Sequence, residues 1–358
     1  MDLRQAVHSY EQWLRRCTAV VETQLTEKHA QMREHPFAFL RGTFFRWLQL
    51  WRAECSDLRT APRVLAVGDA HVGNYATWRD AEGRLAWGVD DFDEAAALPY
   101  TNDLVRLAAS AKIMADIADF RLSTRAMCDT VLTAYRDTLK GGGQPIVLAE
   151  REQHLEVLGI REIKPPEGFW EKLVHLPTAT MVPRSARHEL QRVLPPGVAF
   201  RVVRRSAGVG SLGQARYVAL AEWEGGWIAR EAKASVPPAS TWLSGRIGHR
   251  QPYYERAIRR AIRSHDPYQR CIGRWTLRRL SPDANPINLA TLPAGRDNHA
   301  LLHAMGIETA NVHLGSATRV SAVLRDLAKR NADWLRTSAK TMAKAVHREW
   351  KEYKKSDR

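Results

Sequence analysis

The chain has 358 residues, 44% of them hydrophobic and 26% charged, enough to bury a large core and too apolar for disorder. Its four cysteines, Cys17, Cys55, Cys128 and Cys271, lack Cys-x-x-Cys spacing, which argues against a zinc site or a disulfide framework and for a reducing, cytoplasmic setting. The formal net charge of +15 brings three partner classes into view: nucleic acid, an anionic lipid surface, and an acidic or phosphorylated substrate.

Residues 1–16 carry Asp2, Glu11, Arg15 and Arg16 and read as an amphipathic helix rather than a signal peptide. The first 60 residues are expected to be helical, with Phe44, Trp47, Leu48 and Trp51 forming a core-facing stripe at helical spacing. Arg41 stands apart from that stripe: beside a loop of carboxylates it would reach phosphate or neutralise an Asp. A short strand over 63–67 leads into Gly68-Asp69-Ala70-His71-Val72-Gly73-Asn74. Strands are expected at 75–78 and 85–89, joined by the turn 79–83 with its acidic residue and Gly83. A hairpin returns its ends to one place, so Asp69, Asn74 and Asp91 should converge. Two carboxylates and an amide oxygen suit a magnesium–nucleotide site, because Mg²⁺ takes hard oxygen ligands and uses one or two carboxylates plus phosphates.

Residues 101–139 read as helical, and Lys112 and Asp116 interrupt the most apolar run, 104–118, so no membrane span is expected. Gly141-Gly142-Gly143-Gln144-Pro145 is the clearest break. Pro165-Pro166 and Pro195-Pro196-Gly197 follow, with mixed helical sequence between them. Strands are expected at 199–205, 216–221 and 227–232, a helix at 254–264, a strand at 275–280, and basic helices from Asp297 onward. Glu308, Asn311 and His313 form a polar set in the first of these helices and read as cap and core-facing groups. The basic clusters, among them Arg201-Arg204-Arg205 and 340–355, read as solvated surface.

Gly208, Gly210, Ser211 and Gly213 belong to a Gly-x-Gly-x-x-Gly run. A strand follows it rather than a helix, which departs from the dinucleotide fingerprint. A Gly-rich turn between two strands instead resembles the loop that covers phosphates in kinases, and Lys233, near the end of the next strand, resembles their phosphate-contacting lysine. Glu255, on the following helix, is the candidate to pair with Lys233, with Glu231 as the alternative on the same strand face.

The 68–94 run resembles the catalytic segment of the protein-kinase-like superfamily, in particular its aminoglycoside and choline phosphotransferase branch. On that resemblance Asp69 matches the catalytic Asp, Asn74 and Asp91 the metal ligands, and Asp103 the residue that braces the catalytic loop, while His71 orders the loop. Val67 stands where that branch has His, and the hairpin is longer. The chain also resembles the family called domain of unknown function 2252, in the stretches 36–44, 68–74 and 302–313.

The kinase resemblance implies an α/β (α+β), two-lobed fold that binds ATP and Mg²⁺ and transfers a phosphoryl group to an unidentified hydroxyl acceptor, with Asp93 serving a second ion or positioning the loop. Because the Gly-rich segment follows the catalytic one, the fold must be rearranged or circularly permuted: a large lobe over 1–195, a small β-rich lobe over 196–292 whose strand 275–280 and Pro282 enter a hinge beside adenine, and a C-terminal return over 293–358. Nucleotidyl transfer is a variant of the same site. Two other classes stand beside this reading: a catalytically silent kinase-like nucleotide-binding protein, and a basic nucleic-acid-binding protein.

Overall fold

The computed structural model describes residues 1–118, 122–148, 166–286 and 296–355 and is a mixed α+β structure. Four helices come first: α1 (Leu3–Cys17), α2 (Glu22–Glu34), α3 (Pro36–Gly42) and α4 (Phe44–Glu54). Asp2 starts α1 with a capping box, accepting the Gln5 N–H while the Gln5 side chain reaches back. Phe44, Trp47, Leu48 and Trp51 of α4 are all buried in the main core.

Strand β1 (Arg63–Ala66) pairs antiparallel with β4 (Ala96–Pro99), and β2 (Tyr75–Arg79) with β3 (Leu85–Val89). The β2–β3 register sets Tyr75 opposite Val89. At the turn, the buried Asp80 side chain accepts from the Glu82 and Arg84 N–H groups, and Gly83 takes the left-handed conformation the reversal needs, φ +76°.

The helix expected at 101–139 is two helices, α5 (Tyr100–Ile117) and α6 (Thr124–Gly141). Ser123 caps α6 by accepting the Ala126 N–H, and Gly142 closes it at φ +83°. Ser123 thus acts as a start signal inside an apparently continuous pattern. Next come α7 (Pro166–Val174) and α8 (Arg184–Arg192). Pro165 and the expected boundary at 292/293 lie outside the described residues.

Beyond α8 an antiparallel five-stranded sheet forms, in the order β5-β6-β7-β9-β8: β5 (Arg201–Arg204), β6 (Arg216–Trp223), β7 (Gly226–Ala234), β8 (Arg270–Ile272) and β9 (Trp275–Leu280). Its residues alternate between two apolar clusters, as the period of two demands. Tyr217, Ala219 and Ala232 pack with Ala186 and Leu190 of α8, whereas Val218, Leu220 and Ala229 pack with Leu173 of α7. Between β7 and β8 lie two short helices, α9 (Ala239–Leu243) and α10 (Tyr254–Arg260), where one longer helix was expected.

The last helices are α11 (Arg296–Leu314), α12 (Val320–Lys329) and α13 (Trp334–Lys355). Leu301, Met305, Leu335 and Met342 share the main core with Trp13, Phe39, Leu104 and Tyr135, so the chain's end packs with its beginning. Gly306 allows the close approach of α11 to α6: a Cβ there would fall 2.6 Å from the Val131 carbonyl oxygen.

Candidate active site

Past β1 the chain turns at Gly68 (φ +82°). Asp103, in the first turn of α5, locks this turn by accepting the Val67 N–H at 2.6 Å and the Gly68 N–H at 3.0 Å. His313 of α11 donates to the same carboxylate at 3.0 Å, and the Tyr135 hydroxyl donates to the other ring nitrogen at 2.7 Å. Every member of this buried network has a partner, which makes the turn rigid.

The turn delivers Asp69 to a cleft that also exposes His71, Asn74, Asp91, Asp93, Gly208, Gly210 and Ser211. One Asp69 oxygen accepts two bonds from Arg106, from Nε at 2.8 Å and Nη2 at 2.6 Å. The other lies 3.8 Å from His71 Nε2. Burial raises the Asp69 carboxyl above the usual carboxylate range, against the pull of Arg106. His71 Nδ1 accepts the Gly73 N–H at 3.0 Å, which leaves the proton of the neutral ring on Nε2. Burial, then the charges of Arg41 and Arg106, push its pKa well below the ordinary histidine value. His71 therefore orders the loop as a neutral ring.

Asn74 ties the two halves of the site together. Its amide donates to the Asp69 and Asp91 carbonyls at 3.1 and 3.0 Å, and its Oδ1 accepts the Asp91 N–H at 3.1 Å. That oxygen keeps a second lone pair. Asp91 in turn accepts the Asp93 N–H at 2.8 Å. Gln251 holds the turn from the far side by donating to the carbonyls of Phe92, Asp93 and Ala95.

Lys233 arrives from β7. Its Nζ donates to Asp91 at 2.8 Å and to Asp93 at 2.5 Å. Burial alone would raise the Asp91 carboxyl, but the Lys233 charge outweighs it and keeps Asp91 ionised. Burial and the neighbouring Asp91 push Asp93 the other way, up to about 6.

The Gly-rich loop between β5 and β6 forms one wall. It closes into a 3₁₀ turn over Val209–Ser211, so the Ser211 and Leu212 N–H groups both bond to the Gly208 carbonyl, each at 3.1 Å. Ser211 Oγ accepts from Arg216 at 2.5 Å. Gly213 departs from the expected phosphate-covering set. It is absent from the cleft wall and turns at φ +96° to accept the Val21 N–H, since the chain there leaves the loop to run beside α2.

Glu255 also departs from expectation. It bonds Arg259, one helical turn on, at 3.0 Å, and accepts the Cys271 N–H of the edge strand β8 at 2.9 Å, while Lys233 is held by the two aspartates. Glu231 shares its strand face with Lys233, yet three arginines claim it: Arg216 at 2.6 Å, Arg278 at 2.8 Å and Arg205 at 3.1 Å. Burial would raise the Glu231 carboxyl, but Arg216 and then Arg278 and Arg205 hold it far below the usual range.

Glu308 accepts the Val89 N–H at 3.1 Å, and Asn311 donates to the Gln144 carbonyl at 2.8 Å. With His313 they brace the hairpin and loops from behind, as core-facing groups. Arg41 does reach the cleft, where its Nε is buried with no hydrogen-bond partner among the described residues. Lys28, also in the wall, donates to the Gly210 carbonyl at 3.2 Å.

Sequence reasoning passed over Arg106, Lys28 and Gln251. Arg106 carried the strongest signal: an arginine amid Leu104, Val105, Leu107 and Ala108 must be buried, and a buried guanidinium needs a carboxylate. No group of three or more His, Cys, Asp or Glu is arranged for metal binding among the described residues. Asp91, Asp93 and Asn74 carry oxygens of the hard type that Mg²⁺ takes together with phosphates.

Residues 6–175 match the model of a family described as "Uncharacterized protein conserved in bacteria (DUF2252)". The match covers a little less than half of the chain. It takes in α3, the Asp69 loop and the hairpin, and it ends before the sheet that carries Lys233. No curated protein and no solved structure matches the chain. No helix among the described residues is long and apolar enough to cross a membrane.

Proposed function

We propose that the protein is an ATP- and Mg²⁺-dependent phosphotransferase acting on a hydroxyl acceptor, with a kinase-like, two-lobed fold in which the small β-rich lobe follows the catalytic segment. One observation carries this reading: Lys233, from the third strand of the sheet, bonds Asp91 and Asp93, and these two aspartates line one cleft together with Asp69 and the Gly-rich loop. A phosphate-covering loop, a strand lysine, a loop carboxylate and a metal-binding aspartate are the working parts of phosphoryl transfer in kinases.

The pKa directions divide the labour. Asp69, raised by burial, is suited to take the proton of an acceptor hydroxyl. The hydroxyl oxygen then bonds to the γ-phosphorus, the bond from that phosphorus to the β,γ-bridging oxygen breaks, and ADP leaves. Arg106 fixes the angle of Asp69, and Asn74 sets its distance from Asp91. Lys233 supplies positive charge to the phosphate oxygens. Asp91, Asp93 and Asn74 would hold Mg²⁺, which supplies charge neutralisation to the phosphates.

Calorimetric titration of Mg–ATP and Mg–ADP into the wild-type protein, followed by an ATP-consumption assay, tests the proposal. Binding that requires the divalent metal is expected. No binding of any nucleotide with Mg²⁺ or Mn²⁺ would end it.

A further inference from the structure

A second and larger cleft, of about 830 Å³, lies beside the first. Glu94 faces the Asp69 cleft, and Ala96–Pro99 line this other one. One wall comes from the end of α4 and the β1–β4 pair, the other from α9 and the segment that follows it.

Five arginines surround the cleft, Arg52, Arg59 and Arg63 on one wall and Arg246 and Arg250 on the other, and none of its lining residues is Asp or Glu. All five are exposed. Among the described residues none of the five forms an ion pair, and their side chains make a single hydrogen bond, from Arg63 to the Ala97 carbonyl. Most arginines near the Asp69 cleft behave differently: Arg106, Arg205, Arg216 and Arg278 all bond carboxylates. Burial, then the charges of Arg59 and Arg63, pull the Arg52 guanidinium below its ordinary pKa, the mark of like charges crowded together. Trp51, in the same lining, has a buried indole N–H with no hydrogen-bond partner among the described residues. Ser240 adds a hydroxyl on one wall, while the Thr60 hydroxyl on the other donates to the Asp57 carbonyl.

We propose that this cleft binds a small molecule carrying two or more phosphate groups, gripped between Arg59 and Arg63 on one wall and Arg246 and Arg250 on the other. Guanidinium forks match phosphate oxygens bidentately, and several phosphates are needed to offset five cations. The volume is that of a small-molecule site, and the arginines ring a concavity rather than track along a surface as a nucleic-acid backbone would require.

Inorganic pyrophosphate is the probe, titrated calorimetrically without divalent metal into the full chain at two salt concentrations. Wild type should bind it, more weakly at high salt. Arg59→Ala combined with Arg250→Ala removes one fork from each wall without touching an intramolecular bond, and should weaken binding roughly 10-fold or more. Lys28→Met with Arg41→Met, in the other cleft, should leave this binding unchanged. Equal affinity in wild type and the Arg59/Arg250 variant would overturn the proposal. So would binding lost through Lys28 and Arg41 instead, or tighter binding of a short DNA duplex through the same arginines.

Discussion

The Lys233 ammonium lies 2.8 Å from an Asp91 carboxylate oxygen, across 142 residues of sequence. This pair joins the sheet to the hairpin that carries the acidic cluster, and Asp93 completes it at 2.5 Å. Lys233 is almost fully buried, and its one ammonium is shared between two carboxylates that line the cleft.

Asp69→Asn, Asp91→Ala and Lys233→Met should fail in different ways. Asp91 and Lys233 face the nucleotide in the proposed reaction, so their variants should lose Mg–ATP affinity as well as rate. Asp69→Asn should keep nucleotide affinity and lose roughly 10²-fold or more in turnover. Calorimetry beside an ATP-consumption assay separates the two patterns. Equal loss of affinity in Asp69→Asn and Asp91→Ala would contradict the division of roles.

Arg106→Met removes both bonds to Asp69 and the charge that opposes its burial. The Asp69 pKa, already raised, should rise further. The acid limb of the pH–rate profile should then move to higher pH, because a base must be deprotonated to act. A limb that stays in place would show that Arg106 does not tune Asp69.

His71 is held neutral in the fold, with its pKa well below the ordinary histidine value of 6.5. Once the pH falls below that value, the unfolded chain takes up a proton that the folded chain refuses. The stability contribution of His71 is therefore complete above it and is lost as the pH falls toward the folded-state value. Urea denaturation at about pH 7.5 and about pH 5.5 should show wild type losing more stability on acidification than His71→Asn. Parallel losses would rule out His71 as the source.

Glu231→Gln leaves Arg205, Arg216 and Arg278 facing one another without their shared carboxylate. Breaking a buried ion cluster by removing one partner costs roughly 3–5 kcal/mol. Since the folded Glu231 pKa is far below its ordinary value, this contribution is present at neutral pH and is lost only in strong acid. Chemical denaturation at neutral pH measures it. A loss under about 1 kcal/mol would mean that water or neighbouring groups screen the cluster, as at an exposed ion pair.

Much of the site's acidic half was legible because it is local. Asp69 and Asn74 lie within one loop, and the turn chemistry at Asp80 and Gly83 folds β3 back along β2, which returns Asp91 to Asn74. Four of the five strands of the sheet were legible for the same reason, through alternation and the glycines between them, whereas the short edge strand β8 was not expected. The aromatic stripe of α4 and the polar set of α11 were read as core-facing, and both are buried against the main core.

What only the tertiary structure decided was which charge meets which. Strand alternation puts Glu231 and Lys233 on one face, but nothing in a period of two says that Glu231 takes three arginines while Lys233 takes two aspartates. Helical spacing put Glu255 on the helix after β7, yet the unpaired N–H of β8 and the nearby Arg259 claimed it. The Arg106–Asp69 pair likewise spans 37 residues. Periodicity tells a residue which face it occupies, because the backbone repeat is intrinsic to the chain. The partner of a buried charge is set by desolvation among groups that packing brings together, and in this chain those groups come from segments far apart in sequence.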